Sequence, residues 1–476
     1  MKNLQLLIQK IKEPRIFGPI LIYLLLVLAA ILKLNLAFLT LAVFLLVSFF
    51  YFKNYLLAFY LAVFSLSFDQ IYISVGFSLK IHMVVFLITF LLLLYNHVKE
   101  RRLPTLPPRA FSLPLVVFLA FALLSVYFAL DQTRSLRFFA NLVYDLTVFG
   151  IVFALVADSS RVLKTILALL LGTLVTTVVA IYQFVAFYLD IDFYTKVNIL
   201  NPGTFARPKG IFDHTNFLAN FLLVSLPIGL SVLVDKTREN WWRIFLVGAG
   251  ISALAITFSR AAWIALLGAL LIFIFGTVIL RFNLVALLSK FAVVGLTSLV
   301  MLVVLLVAIG PLQFGGLRGR SHVSDLERRI SSSVDPEATT NTERLQIWQA
   351  GIKMVKANWL TGVGLENFML RYHDYKLPEA KRDRVQAHNV YLQILAETGV
   401  FGFWAFLWFN IALIVSALLS LFQSKDWQMR LVVLGSLTAV LAVSFQNLTN
   451  STLYYPHTWF LYGFLLASSR LALKKE

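Results

Sequence analysis

A histidine and an asparagine, His388 and Asn389, stand where a long polar segment meets an apolar one. The chain continues from them into residues 403–409, whose sequence FWAFLWF belongs in a protein core or in lipid. An imidazole with an ordinary pKa of about 6.5 can accept a proton at neutral pH. The pair therefore predicts proton-transfer chemistry at the boundary between water and membrane.

The residues after His388 have helical spacing. On one continuous helix, Leu392, Leu395, Gly399 and Gly402 would share a stripe with His388. The two glycines would then leave room for a neighbouring helix or a lipid tail. Glu397 would face the other way, which favours pairing with a structural cation over a role beside His388.

Two arginines are notable for their positions. Arg207 begins the segment RPKGIFDHTN, directly before an apolar run, and Arg260 lies where two apolar runs meet without a polar loop. An arginine within a bilayer costs about 3 kcal/mol or more unless it reaches the headgroups or is paired. Position alone leaves open a structural role, in which either side chain extends to the outer headgroups.

The spacing from His388-Asn389, through nine residues to Gly399 and two more to Gly402, resembles a known signature. It is that of the O-antigen ligase and polymerase superfamily, membrane glycosyltransferases that use polyprenyl-diphosphate-linked glycans. The resemblance continues in residues 343–351 (ERLQIWQAG) and 360–368 (LTGVGLENF), which are similar to the family's large external loop. It extends weakly to about residue 200.

The resemblance implies roles for these residues. His388 would be the general base for an acceptor hydroxyl, and Arg207 and Arg260 would bind the leaving diphosphate, because a guanidinium can hold phosphate oxygens in a bidentate manner. Lys209 would add a point charge. The supporting residues would be Asn389, Arg344 and Asn216. The family works without a metal, and no cofactor is implied.

Composition predicts the fold class. With 60% hydrophobic and 13% charged residues, the chain is too apolar for a soluble protein, whose charged share is about 25%. Apolar runs predict an all-α polytopic membrane protein with about 14 transmembrane helices, or about 12 if the weakest runs do not span. The resemblance implies a GT-C-like arrangement. We expect helices 1–11 in residues 1–311, an external loop at 312–387, and helices 12–14 with a cytoplasmic tail at 388–476.

Charge predicts the orientation. Most lysines and arginines of the short connections fall on the same side as the amino terminus, which places both termini in the cytoplasm and the long loop outside. For a bacterial inner membrane, His388 would then face the periplasm. The net charge of +18 is scattered between apolar runs, which favours membrane lipids over nucleic acid as its partner.

The external loop has a helical pattern of its own. Thr340 and Glu343 fit a capping box, and Leu345, Trp348, Ile352 and Val355 recur at helical spacing after it. These residues predict an amphipathic helix across the outer face of the bundle. Such a helix would bring Arg344 towards that face.

The predicted function is transfer of a glycan from undecaprenyl diphosphate to an acceptor hydroxyl, inverting and metal-independent. Lipid A–core is the favoured acceptor, as in a ligase of lipopolysaccharide biosynthesis, because the protein-directed relatives usually carry an extra carboxy-terminal domain. A growing chain (polymerase) or a protein (oligosaccharyltransferase) remains an alternative. A bicarbonate-like anion transporter is the alternative of another class, since arginines would serve it too.

Two acidic features are not part of this predicted mechanism. Asp190 and Asp192 form a D-x-D at an outer span end, which could hold a divalent metal on the diphosphate. Asp145 falls within a span and predicts pairing with a cation that the sequence does not identify.

Overall fold

The protein is a bundle of α-helices with two short antiparallel hairpins. The computed structural model describes residues 14–32, 34–52, 54–74, 78–101, 105–189, 191, 198–199, 206–233, 241–309, 339–380 and 382–474. In these residues the helices are α1 (Pro14–Ile31), α2 (Asn35–Phe52), α3 (Tyr55–Ser65), α4 (Ile81–Glu100), α5 (Arg109–Tyr127), α6 (Gln132–Leu155), α7 (Ser159–Tyr188), α8 (Thr215–Ser231), α9 (Trp241–Ile256), α10 (Arg260–Ile279), α11 (Leu284–Ile309), α12 (Thr339–Ala357), α13 (Phe368–Tyr375), α14 (Val390–Gln423), α15 (Trp427–Gln446) and α16 (Pro456–Leu473). The hairpins are β1 (Tyr72–Ser74) with β2 (Ser78–Lys80), and β3 (Asn198–Ile199) with β4 (Ala206–Arg207).

The helices confirm an all-α polytopic membrane protein. Among the described residues, 8 helices are long and apolar enough to cross a membrane: α4, α5, α6, α7, α10, α11, α14 and α15. The apolar helices α1, α2, α3, α8 and α9 are shorter. Every apolar run of the sequence coincides with a helix, while the number that span a membrane stays a prediction.

Helices α8, α15 and α16 form the centre of the bundle. Nearly every side chain of α8 and α16 is buried, and α15 packs against α8, α10 and α16. A helix that is apolar on all sides is buried among other helices. The amino-terminal end of α8, the carboxy-terminal end of α15 and the start of α16 therefore meet at one end of the bundle.

Helix α14 is broken at Gly399, which has φ 73° and ψ −177°. Residues 359–364 fill the break: the amides of Val363 and Gly364 donate to Ala396 and Glu397, and the amide of Val400 donates to Trp359. A Cβ at Gly399 would overlap the Leu360 carbonyl. The expectation of a continuous helical stripe from His388 to Gly402 is therefore wrong, because Gly399 makes room for an external loop rather than for a helix or a lipid tail.

The amphipathic helix expected in the loop that the sequence predicts to be external is confirmed as α12, but its buried face differs from the predicted one. The described part of that loop, residues 339–380 and 382–387, is called the external segment below. Ile347, Ala350 and Met354 are buried, whereas Leu345 and Ile352 are about half exposed. Gly351 lies directly against Leu392 of α14. Apolar residues occur on both sides of α12, and close packing at the small residues Ala350 and Gly351 selects the face that is buried. Thr340 lies inside the helix and not at its cap.

Among the described residues, no cation pairs directly with the carboxylate of Glu397, contrary to expectation. The Gln393 amide donates to Glu397 at 3.2 Å and to Glu366 at 3.1 Å. Glu366 in turn accepts from Arg134 at 3.3 Å. The loop residue Glu366 thus stands between Arg134 and Glu397, and this connection holds the external segment on the bundle.

Asp145 is buried in α6, close to charges carried by the first hairpin. It interacts electrostatically with Lys80 and Asp69, which form an ion pair. The ion-pair partner of Lys80 is Asp69, and among the described residues no ion pair with Asp145 is observed, so the pairing of Asp145 with a cation stays a prediction.

Candidate functional site

Arg207 lies inside the protein and not among lipid headgroups. Its side chain is 8% exposed. Its Nε donates to the Thr257 carbonyl at 2.8 Å, and its Nη2 donates to Asn216 Oδ1 at 3.1 Å. The Thr215 hydroxyl donates to the backbone carbonyl of Arg207. These bonds fix the guanidinium in one orientation, as recognition of a planar anion requires.

Arg260 is the first residue of α10 and follows a tight turn from α9. The turn runs through Phe258, whose φ of 52° is left-handed, and the Thr257 hydroxyl accepts from the Ser259 amide. Arg207 binds the carbonyl of Thr257, so it contacts the turn that directly precedes Arg260, although the two arginines are far apart in sequence. The apolar runs that abut in the sequence are therefore two helices joined by a few residues.

His388 occupies a strained backbone position just before α14. Its φ is 47°, in the left-handed region that costs a non-glycine residue about 1 kcal/mol. Bonds on both sides hold it: Trp348 Nε1 donates to the Ala387 carbonyl, and the Val390 amide donates to the Asn447 carbonyl. Asn389 is the N-cap of α14, and its side chain accepts from the Leu392 amide. Strain held in this way is typical of functional sites.

The His388 imidazole is neutral at pH 7. Burial, together with the charges of Arg344 and Arg382, lowers the pKa of His388 from 6.5 to about 4. Both effects disfavour the protonated form. Its free electron pair is therefore available to accept a proton throughout the physiological range.

Arg344 comes to the site from α12. Burial and the charge of Arg260 lower the pKa of its guanidinium, which stays protonated at neutral pH. The neighbouring Glu343 forms an ion pair with Arg382 at 3.0 Å. The external segment thus contributes two cations next to His388, and the sequence indicated only Arg344.

His214 was also missed and belongs to the same cluster. It is the N-cap of α8, and its Nδ1 accepts from the Asn216 amide at 3.1 Å. Burial, with the charges of Arg207, His388 and Lys209, lowers the pKa of His214 to about 4. Because Nδ1 is an acceptor in the neutral ring, the proton is on Nε2, which can donate. Its place directly before an apolar run is the signal that could have indicated it.

Asn216 and Lys209 complete the outer end of α8. The Asn216 amide binds Asn450 Oδ1 at 3.0 Å, which connects Arg207 to the loop that also holds His388. Gln183 Oε1 accepts from the amides of Lys209 and Gly210 and so fixes this loop. The Lys209 ammonium donates to the Asp213 carbonyl at 3.3 Å.

All seven site residues expected from the sequence therefore lie at one end of the bundle, and this end is electropositive. The charge of Arg344 acts on His388, that of Arg260 acts on Arg344, and that of Arg207 acts on His214, which also interacts with His388. Three arginines and two neutral imidazoles thus belong to one electrostatically connected cluster. The arrangement can bind a polyanion and can take up a proton beside it. Asp190 and Asp192, the possible metal ligands, lie outside the described residues.

Comparison with known proteins relates part of the chain to a family. No curated protein matches the chain significantly. The family model described as O-antigen ligase matches residues 244–407, a segment that contains Arg260, Arg344, His388 and Asn389. The resemblance to the O-antigen ligase and polymerase superfamily is thereby confirmed over those residues.

Proposed function

We propose that the protein transfers a glycan from undecaprenyl diphosphate to an acceptor hydroxyl, with inversion at the sugar carbon and without a metal. The observation that carries the proposal is an electrostatically connected cluster of Arg207, Arg260 and Arg344 with two neutral histidines, His214 and His388, at one end of a membrane bundle. An O-antigen ligase domain over residues 244–407 supports the same class of reaction.

The arginines would bind the diphosphate of the donor. A departing polyprenyl diphosphate gains negative charge as the bond to the sugar breaks. Fixed guanidinium groups in a partly buried site stabilise that charge more strongly than water does, because they need no reorganisation. Arg207, held by Thr257 and Asn216, is oriented before the donor arrives. The Nε2–H of His214 would donate a further, uncharged hydrogen bond.

His388 would act as the general base. The acceptor oxygen forms a bond to the anomeric carbon while the bond from that carbon to the diphosphate oxygen breaks, and the hydroxyl proton passes to the imidazole. The bound diphosphate would offset the arginine charges and raise the pKa of His388. The histidine would then be neutral before the donor binds and more basic once it has bound.

The proposed site faces the periplasm of a bacterial inner membrane, with lipid A–core as the acceptor. A growing glycan or a protein hydroxyl as acceptor would use the same chemistry. The test is mass spectrometry of surface glycans in a deletion strain. Lipid A–core without attached glycan, together with carrier-linked polymer, is the expected result. Shortened chains would indicate a polymerase, and unglycosylated protein an oligosaccharyltransferase.

A second measurement distinguishes anion transport from glycan transfer. Purified protein in liposomes should turn over carrier-linked glycan and should show no bicarbonate flux above empty vesicles. Flux that depends on Arg207 and Arg260, without glycan turnover, would replace the glycosyltransferase proposal.

A further inference from the structure

A cavity lies at the end of the bundle opposite His388. It has a volume of about 620 Å³ and is lined by Phe111, Phe153, Leu466, Arg470, Leu471 and Lys474, among others. These residues come from the start of α5, the end of α6 and the end of α16. The carboxy-terminal end of α16 is opposite its start, which lies beside the candidate functional site.

Arg470 is fixed in the wall of this cavity. Its Nη2 donates to the carbonyls of Phe153 and Val156, each at 3.1 Å, and its guanidinium stacks over the Phe153 ring at 4.3 Å. These contacts satisfy carbonyls at the end of α6 and leave Nε and Nη1 for another acceptor. Within the described part of the chain, no carboxylate pairs with Arg470.

The lining of the cavity has a consistent charge. Arg470 and Lys474 are cationic, and most of the other lining residues that the structure describes are apolar, with no aspartate or glutamate among them. A volume of this size lies within the range of about 300–1,000 Å³ that is typical of ligand sites. An occupant with an anionic head and an apolar body would complement both parts of the wall.

We propose that this cavity binds the phosphate headgroup of an anionic phospholipid from the leaflet opposite His388. Arg470 would hold the phosphate through its two remaining nitrogen atoms, and Lys474 would add a second positive charge. Phe111, Leu466 and Leu471 would contact the glycerol end of the acyl chains. On the orientation predicted from charge, this is the cytoplasmic leaflet, whose anionic lipids attract basic residues. The inference does not depend on the glycosyltransferase proposal.

The experiment is native mass spectrometry of the full-length protein released from detergent, with dioleoyl phosphatidylglycerol and dioleoyl phosphatidylcholine added in equal amounts. Wild-type protein should retain phosphatidylglycerol at least about tenfold better, a difference equivalent to about 1.4 kcal/mol. K474Q should lose most of this preference. R470K, which keeps the positive charge but loses the planar guanidinium group, should lose part of the preference. K425Q, a cation removed from the turn between α14 and α15 outside the cavity, is the matched control and should not change it.

A second variant keeps the charges and fills the space. A154W places a large side chain in the cavity wall, and it should abolish the preference while the protein keeps its thermal transition. The proposal is overturned if both lipids are retained equally, or if K474Q behaves like K425Q. It is also overturned if protein stripped of lipid retains added inorganic phosphate but not phosphatidylglycerol, because the site would then recognise free phosphate.

Discussion

Replacing Arg344 by glutamine should raise the pKa of His388 and so shift the acid limb of the activity profile. Burial and the charges of Arg344 and Arg382 hold that pKa at about 4. At pH 5.5 a histidine with a pKa of 6.5 would be about 90% protonated, whereas His388 would be about 3% protonated. A general base must be neutral, so the wild-type protein should keep nearly full kcat/KM at pH 5.5, where an ordinary histidine would lose about tenfold.

The assay is kcat/KM for carrier-linked glycan between pH 4 and 8, with the protein in nanodiscs. Because kcat/KM reports ionisation of the free enzyme, its acid limb gives the pKa of His388 before the donor binds. R344Q should move the midpoint up by about one pH unit, the lower end of the effect of a nearby charge. The diphosphate diester of the donor does not titrate in this range, so the midpoint belongs to the protein.

Two surface arginines provide the matched comparison. Arg382 contributes to the low pKa of His388, whereas Arg384, exposed two residues further along, is not among the charges that do so. R382Q should therefore shift the midpoint in the same direction as R344Q, and R384Q should leave it unchanged. A wild-type midpoint near 6.5, or equal midpoints for R344Q and R384Q, would refute the electrostatic argument.

Three further predictions concern roles, metal and orientation. His388→Ala should abolish transfer and leave donor binding nearly intact, while Arg207→Ala and Arg260→Ala should weaken both, because the guanidinium charge also contacts the diphosphate of the ground state. Isothermal titration with the donor measures binding, and a turnover assay measures transfer. Normal turnover by His388→Ala would refute the general-base assignment. Excess EDTA should leave turnover unchanged, and the double variant Asp190→Asn with Asp192→Asn should keep the rate within about tenfold of wild type. Loss of a metal Lewis acid would instead lower the rate about a hundredfold or more. Loss of activity on chelation, restored by Mg²⁺ or Mn²⁺, would place the catalytic centre at the D-x-D. In this chain without cysteine, a Cys at exposed Glu379 should react with an impermeant thiol reagent from outside and a Cys at exposed Lys425 should not; the opposite labelling would reverse the orientation.

The elements of this fold were predictable from the sequence to different extents. Apolar length alone predicted each helix of the bundle, since a membrane-spanning helix needs little beyond a long apolar run. The buried face of α12 was not predictable, because Leu345 and Ile352 are as apolar as the buried Ile347 and Met354. Which face packs is decided at Gly351, where Leu392 of a distant helix comes close.

The site was predictable as a set of residues and not as a geometry. The resemblance identified His388, Arg207 and Arg260, but Arg207 is joined to the turn before Arg260 by the Thr257 carbonyl, a backbone atom that no side-chain pattern reveals. Arg382 is an exposed residue in a polar segment, without a local signal that distinguishes it from Arg384. The low pKa of His388 follows from tertiary placement of cations and was likewise beyond the sequence.

Backbone strain explains why helical extrapolation failed at His388. Three non-glycine residues around the site and the external segment beside it, Phe258, Glu366 and His388, have left-handed φ values, and Gly399 breaks the helix that His388 precedes. Each non-glycine residue of this kind costs about 1 kcal/mol, so it persists only where other bonds determine it. At His388 those bonds come from α12 through Trp348 and from the end of α15 through Asn447. If a straight helix began before residue 388, the helical geometry would fix the direction of the His388 side chain. Because the backbone of His388 is left-handed, helix α14 does not fix that direction. The external segment and the central bundle together determine where His388 lies.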